Sequence, residues 1–132
     1  MAKKKNESAT TLTKAEEQVM QAVWKLGKGF AGEIAEAVEE PKPAYRTVLT
    51  EIRILEQKGF VGHENLGGNN QYYPLVSKAD YSGRMLGSLM KSYFGGSYRQ
   101  LVSFFMEDKN LRQEDLDALS RIIEEKRKEV QA

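Results

Sequence analysis

Apolar residues along this chain recur at helical spacing three times, alternate with polar ones through two short stretches, and then return to helical spacing. Val19, Val23 and Leu26, with Met20 and Trp24 alongside, predict a first helix that begins near Thr13. Thr13-Lys14-Ala15-Glu16 has the form of a capping box, in which the Thr hydroxyl and the Glu carboxylate each take a backbone N–H with no partner inside the helix. Gly27 and Gly29 end that helix. A short second helix, about 31–39, is expected to bury Ile34, Ala35 and Val38, and Pro41 and Pro43 forbid its continuation. A third is expected over about 44–58. At 100° per residue, Tyr45, Val48, Ile52 and Leu55 fall on one flank. Arg46, Thr50, Arg53, Ile54 and Gln57 fall on the other, with Thr47 at its edge, and Gly59 closes the helix.

Residues 60–65 and 71–76 read as two strands. Leu66-Gly67-Gly68-Asn69-Asn70 between them is a turn rich in residues that tolerate positive φ, and Pro74 suits an edge strand or a strand end. From residue 78 to 94 two stripes run side by side: Met85, Leu89 and Tyr93, then Leu86, Met90 and Phe94. Gly95-Gly96 interrupts, and a short helix over 98–106 carries Leu101, Val102, Phe104 and Phe105. A last helix, about 113–130, is expected to bury Leu116, Leu119 and Ile123, with Val130 at its end.

Helix, short helix, helix, hairpin is the order of a winged helix-turn-helix. The expected fold is therefore mainly α with a small β-hairpin: a polar tail over 1–11, a winged-helix DNA-binding domain over 12–77, and an α-helical dimerisation domain over 78–132. The tail, with its Lys3-Lys4-Lys5 triplet, is expected to be disordered, as a frayed terminus rather than a basic arm on DNA. Base and phosphate contacts are expected from Arg46, Thr47, Thr50, Arg53, Ile54 and Gln57 on the third helix, and from Asn69 and Asn70 in the wing. Arginine offers a planar fork to guanine or phosphate, and a threonine hydroxyl suits either. The C-terminal segment is small for a core of its own, and one stripe per helix would suffice to pack it on its winged helix. Two stripes point instead to a second copy, paired through Leu89, Tyr93, Leu101, Phe105, Leu116, Leu119 and Ile123. A two-fold dimer sets two recognition helices about 34 Å apart and so selects a palindrome in double-stranded DNA.

Charge qualifies this picture. The 132 residues are 40% hydrophobic and 30% charged with a net charge of +1, and residues 1–77 hold ten Lys+Arg against ten Asp+Glu. Affinity for phosphate must come from where the charges sit, so a winged-helix protein-interaction module without DNA binding stays open as an alternative. An enzyme does not. Cysteine is absent and His63 is the only histidine, which removes thiol nucleophiles, thiolate metal sites and paired-histidine zinc sites. The pairs Glu16/Glu17, Glu39/Glu40 and Glu124/Glu125 are adjacent in helical stretches and diverge. No cofactor and no metal are expected. No apolar run is long enough to cross a bilayer, and the first eight residues lack the apolar centre of a secretion signal, so a cytoplasmic protein is expected.

Several pieces, in order and spacing, resemble the penicillinase-repressor family (BlaI/MecI/CopY type) of bacterial transcriptional repressors. They are Leu12-Thr13-Lys14-Ala15-Glu16 with Val19-Met20 and Val23-Trp24; Glu33-Ile34; Thr47-Val48-Leu49-Thr50 continuing to Leu55-Glu56-Gln57-Lys58-Gly59-Phe60-Val61; Gln71-Tyr72-Tyr73-Pro74; and Gly95-Gly96-Ser97 with Leu101-Val102 and Phe105. The resemblance implies a homodimer that binds a palindromic operator and blocks transcription of a β-lactam-resistance-like or other sensor-protease-linked operon. It further implies induction by a membrane sensor-protease that cuts a Leu-Val-x-Asn-Phe type sequence. The matching stretch here is Leu101-Val102-Ser103-Phe104-Phe105, which marks the Phe104–Phe105 bond, with Phe104 in place of the Asn. Ile54 stands where the family usually has Arg, and Phe30 where the second helix usually has a Ser or Thr cap. The cysteine cluster of the copper-responsive branch is missing.

Overall fold

The computed structural model describes residues 11–132 of the chain. The Lys3-Lys4-Lys5 triplet and the rest of the expected tail up to residue 10 lie outside the described residues. The elements run α1 (Lys14–Leu26), β1 (Gly29–Phe30), α2 (Ala31–Ala37), α3 (Tyr45–Gln57), β2 (Val61–Leu66), β3 (Asn69–Pro74), α4 (Lys78–Tyr93), α5 (Tyr98–Met106) and α6 (Gln113–Gln131). Two compact units divide between Gly87 and Ser88, inside α4.

In the first unit the capping box of α1 forms as its sequence implies. Glu16 N–H donates to Thr13 Oγ1 at 3.1 Å, and Thr13 N–H donates to Glu16 Oε1 at 2.9 Å. Phe30 caps α2 without a side-chain acceptor, yet Glu33 Oε1 accepts the Phe30 N–H at 2.9 Å, so half of a capping box survives. α2 stops at Ala37, two residues earlier than the apolar spacing suggests, because Val38 is already extended; its side chain is buried all the same.

Three helices and the sheet enclose one core. α1 supplies Val19, Met20 and Val23, α2 supplies Ile34, and α3 supplies Val48, Ile52 and Leu55. Phe60, Val61 and Tyr72 close it from the sheet side. The hairpin is joined by a third strand that its sequence did not announce. β1 pairs antiparallel with β3, Gly29 opposite Tyr72 and Phe30 opposite Gln71, giving the order β1-β3-β2. A two-residue strand is too short to show alternation. β3 is thus central, and Pro74 sits at its end rather than on an edge strand. The turn narrows to Gly67-Gly68, both at positive φ (60° and 88°), as a two-residue hairpin connection requires.

The first turns of α4 belong to this unit. Tyr81 is buried, its hydroxyl accepts the Leu12 N–H at 3.0 Å, and its ring meets Phe60 edge-on and Trp24 at a tilt. Trp24 Nε1–H in turn donates to Val76 O at 2.8 Å.

The second unit holds the rest of α4 together with α5 and α6. Gly95 and Gly96, both at positive φ, end α4, and Ser97 Oγ caps α5 by accepting Gln100 N–H. Met90 is the only buried residue from 88 to 132. The expected burial of Leu116, Leu119 and Ile123 is corrected here: within one chain Leu119 is half-buried, while Leu116 and Ile123 are exposed, as is Val130. Their spacing correctly marks an apolar stripe, but among the described residues nothing covers it. Among the described residues no helix is long and apolar enough to cross a membrane.

Candidate nucleic-acid interface

α3 carries the site. Val48, Ile52 and Leu55 are fully buried and fix the helix by one flank. The other flank presents Arg46, Thr47, Thr50, Arg53 and Gln57 to solvent, with Ile54 half-buried beside them. Neither Arg46 nor Arg53 is in an ion pair among the described residues, so both guanidinium groups are available to an outside partner. Thr50 Oγ1 donates back to Arg46 O at 3.1 Å, which leaves the oxygen's lone pairs and the methyl group outward.

The same helix begins open. Its cap residue, Ala44, has no side-chain acceptor, and the first turn holds no acidic residue. Among the described residues, the leading N–H groups and the positive end of the helix dipole therefore have no capping side chain or acidic residue of the first turn to neutralise them.

Two contacts hold α3 in place. At its C-terminal end Lys58 Nζ lies 2.6 Å from Glu16 Oε1, which joins the end of α3 to the start of α1. Glu56 Oε2 lies 2.5 Å from His63 Nδ1, and the His63 ring packs against Tyr72 with centroids 5.7 Å apart. That pair ties the helix to the wing through the one carboxylate of its last turn. The sequence reading did not find it, since the two residues lie on different elements and neither stands in a motif.

At the wing, Asn69 is exposed and Asn70 half-buried. Asn70 is held by Asn65, whose Nδ2 donates to Asn70 Oδ1 at 3.0 Å. Tyr45 departs from expectation: placed on the apolar flank by its spacing, it is 52% exposed. As the first residue of α3 it overhangs the core and faces a cleft shared with Phe30 and the wing.

An anchored helix with a free polar flank, braced by a shorter helix and followed by a hairpin, defines a winged helix-turn-helix DNA-binding module. The family model described as penicillinase repressor matches residues 12–125, and the chain belongs to that family. Over 116 residues it is 28% identical to the methicillin resistance regulatory protein MecI of Staphylococcus aureus (strain N315), covering 87% of this chain and 94% of that protein. It is 25% identical over 115 residues to the penicillinase repressor of Bacillus licheniformis, covering 86% and 90%. Among solved structures, the DNA-binding domain of the repressor BlaI is similar at 25% identity and a TM-score of 0.48, over 54% of this chain and 88% of that one. Members of the family are DNA-binding transcriptional repressors, not enzymes, and membership favours a repressor over the protein-interaction module that the charge balance left open.

Proposed function

We propose that this repressor acts as a homodimer on a palindromic operator in double-stranded DNA, with Arg46, Thr47, Thr50, Arg53 and Gln57 facing the major groove. Asn69 and Asn70 of the wing would meet the adjacent backbone, and Ile54 would pack at the groove's edge. The carrying observation is the free polar flank of α3, opposite a flank whose apolar residues are 0–1% exposed. The helix can therefore be approached without disturbing what holds it.

Pairing is supported by the second unit. A unit this short with one buried residue cannot be stable by itself. It exposes Leu89, Tyr93, Phe105, Leu116 and Ile123, and leaves Leu101 and Leu119 half-covered. Leu89, Tyr93, Phe94, Leu101, Phe104 and Phe105 also line an apolar groove of about 920 Å³. A second copy of the same surface would bury these side chains in an apolar, obligate interface. Such a protein would work in the cytoplasm, where its operator is.

Control by a membrane sensor-protease would act at Phe104–Phe105. Phe104 is 69% exposed, but the bond lies inside α5, so cleavage requires that helix to unwind.

The test is a gel shift with DNA from upstream of this protein's own gene, followed by footprinting. The reading expects a protected inverted repeat and an affinity that falls steeply with salt, since phosphate contacts release counterions. Absence of retardation at low salt would overturn it.

A further inference from the structure

We infer that the cleft between the wing and the first turn of α3 seats one phosphate of the DNA backbone, held by the Tyr45 hydroxyl and the Asn70 amide. This rests on the operator-binding reading, adds to it a backbone contact from Tyr45, and gives the Asn70 contact a definite donor; both differ in kind from the groove contacts of Arg46 and Arg53.

The cleft has a volume of about 470 Å³, and its walls include Phe30, Tyr45, Asn65, Asn70 and Tyr72. No charged side chain lines it. An anion entering there meets no carboxylate.

Its polarity is set by one backbone group. Gly68 N–H donates to Asn65 Oδ1 at 3.3 Å, and a backbone N–H can only donate. Asn65 must therefore turn its Nδ2 the other way, where it donates to Asn70 Oδ1. Asn70 is left with its Nδ2, two N–H donors, and among the described residues these have no partner. The Tyr45 hydroxyl likewise has none among the described residues and can donate in the same cleft. Neutral N–H and O–H donors suit a phosphate oxygen, and such bonds are shorter and stronger than neutral pairs.

The cleft is open and holds no fixed positive charge, so a free anion gains little there. A phosphodiester of a duplex already engaged by α3 arrives at high effective concentration instead. Tyr45 stands on a different flank of α3 from Arg46, in the first turn beside the wing, so its contact falls on backbone next to the groove rather than in it.

The experiment compares the unaltered protein with Tyr45→Phe and Asn70→Ala, each on the retained upstream duplex and on a random-sequence duplex. Tyr45→Phe removes only an exposed hydroxyl and leaves the fold intact, whatever Asn70→Ala does to the hairpin. Each variant should bind both duplexes about three- to tenfold more weakly. The preference between duplexes and the salt slope should stay unchanged, since no charge is removed. Scanning the duplex with single methylphosphonates should find one position per half-site whose neutralisation weakens Tyr45→Phe less than it weakens the unaltered protein. Tyr45→Phe binding like the unaltered protein, or a loss confined to the operator, would overturn the inference. So would a shift of the Asn70 side-chain amide resonances on adding millimolar inorganic phosphate without DNA, which would mark a free-anion site. An unaltered protein that retains neither duplex would instead overturn DNA binding itself.

Discussion

Lys58 and Glu16 meet at 2.6 Å, and their contact joins the C-terminal end of α3 to the first turn of α1. Glu16 is 5% exposed and serves twice, since the same Oε1 that receives the Lys58 ammonium also accepts the Thr13 N–H of the α1 cap. A helix whose outer flank must reach a duplex is thus tied at its far end to the best-capped element of the domain. Burial by itself would raise the Glu16 carboxyl pKa. The Lys58 ammonium and the hydrogen bonds at Thr13 outweigh burial, and the group is held below the ordinary glutamate range.

That direction sets a pH dependence. A carboxyl whose folded pKa is depressed binds protons more readily in the unfolded chain, so its stabilisation is complete above the unfolded value, about 4.3. It is lost as pH falls from there through the lower folded value. Urea midpoints measured from pH 7 down to pH 3 should therefore fall more steeply for the unaltered protein than for Glu16→Gln. Parallel curves would show that Glu16 is not linked to folding. Lys58→Met, which leaves the carboxylate without its ammonium, should cost about 1–3 kcal/mol at neutral pH.

Arg46→Ala and Arg53→Ala should each weaken operator binding by about 1–3 kcal/mol while leaving thermal unfolding within about 3 °C, because both side chains are exposed and, among the described residues, unpaired. Titration against operators mutated one base pair at a time separates their roles. An arginine that reads a base loses preference at one position when removed; one that grips phosphate weakens all sequences alike. A variant that binds every duplex as the parent does would remove that arginine from the interface.

Periodicity and capping made most of this molecule legible. Val48, Ile52 and Leu55 are buried because their 3–4 spacing leaves them no other face, and Thr13 and Glu16 cap because no other pairing satisfies the first turn. Tyr45 shows what periodicity does not carry. Its angular position on α3 is that of a core residue, but the angle says nothing about whether the core extends that far along the axis. β1 and the Glu56–His63 pair escaped for a related reason: each depends on which elements lie side by side. In α6 the stripe was legible and its exposure was not, since among the described residues nothing covers it and periodicity does not say what an element packs against.

That stripe gives the test of pairing. Ile123 is 53% exposed and Leu119 half-covered, so an aspartate at either position is tolerated by a single chain and rejected by an apolar interface. Leu119→Asp and Ile123→Asp should convert a dimer to monomers in light scattering and lower operator affinity at least tenfold, with the winged helix still folded by circular dichroism. A dimer that persists in both variants would place the pairing surface elsewhere, away from α6.

The domain boundary is the last point that a measurement can settle. The boundary is expected from sequence at residue 77; Tyr81, 4% exposed between Trp24 and Phe60, lies in the first compact unit. Removing it should expose the Trp24 and Phe60 faces and leave the Leu12 N–H without its acceptor. Tyr81→Phe, which loses only the hydroxyl, should cost about 1 kcal/mol, and Tyr81→Ala about 3–5 kcal/mol. A fragment covering residues 11–87 should accordingly unfold cooperatively, while one covering 11–77 should be less stable by roughly the Tyr81→Ala amount, because it lacks the same ring. Equal urea midpoints for the two fragments would return the boundary to residue 77 and reduce α4 to an appendage of the second unit.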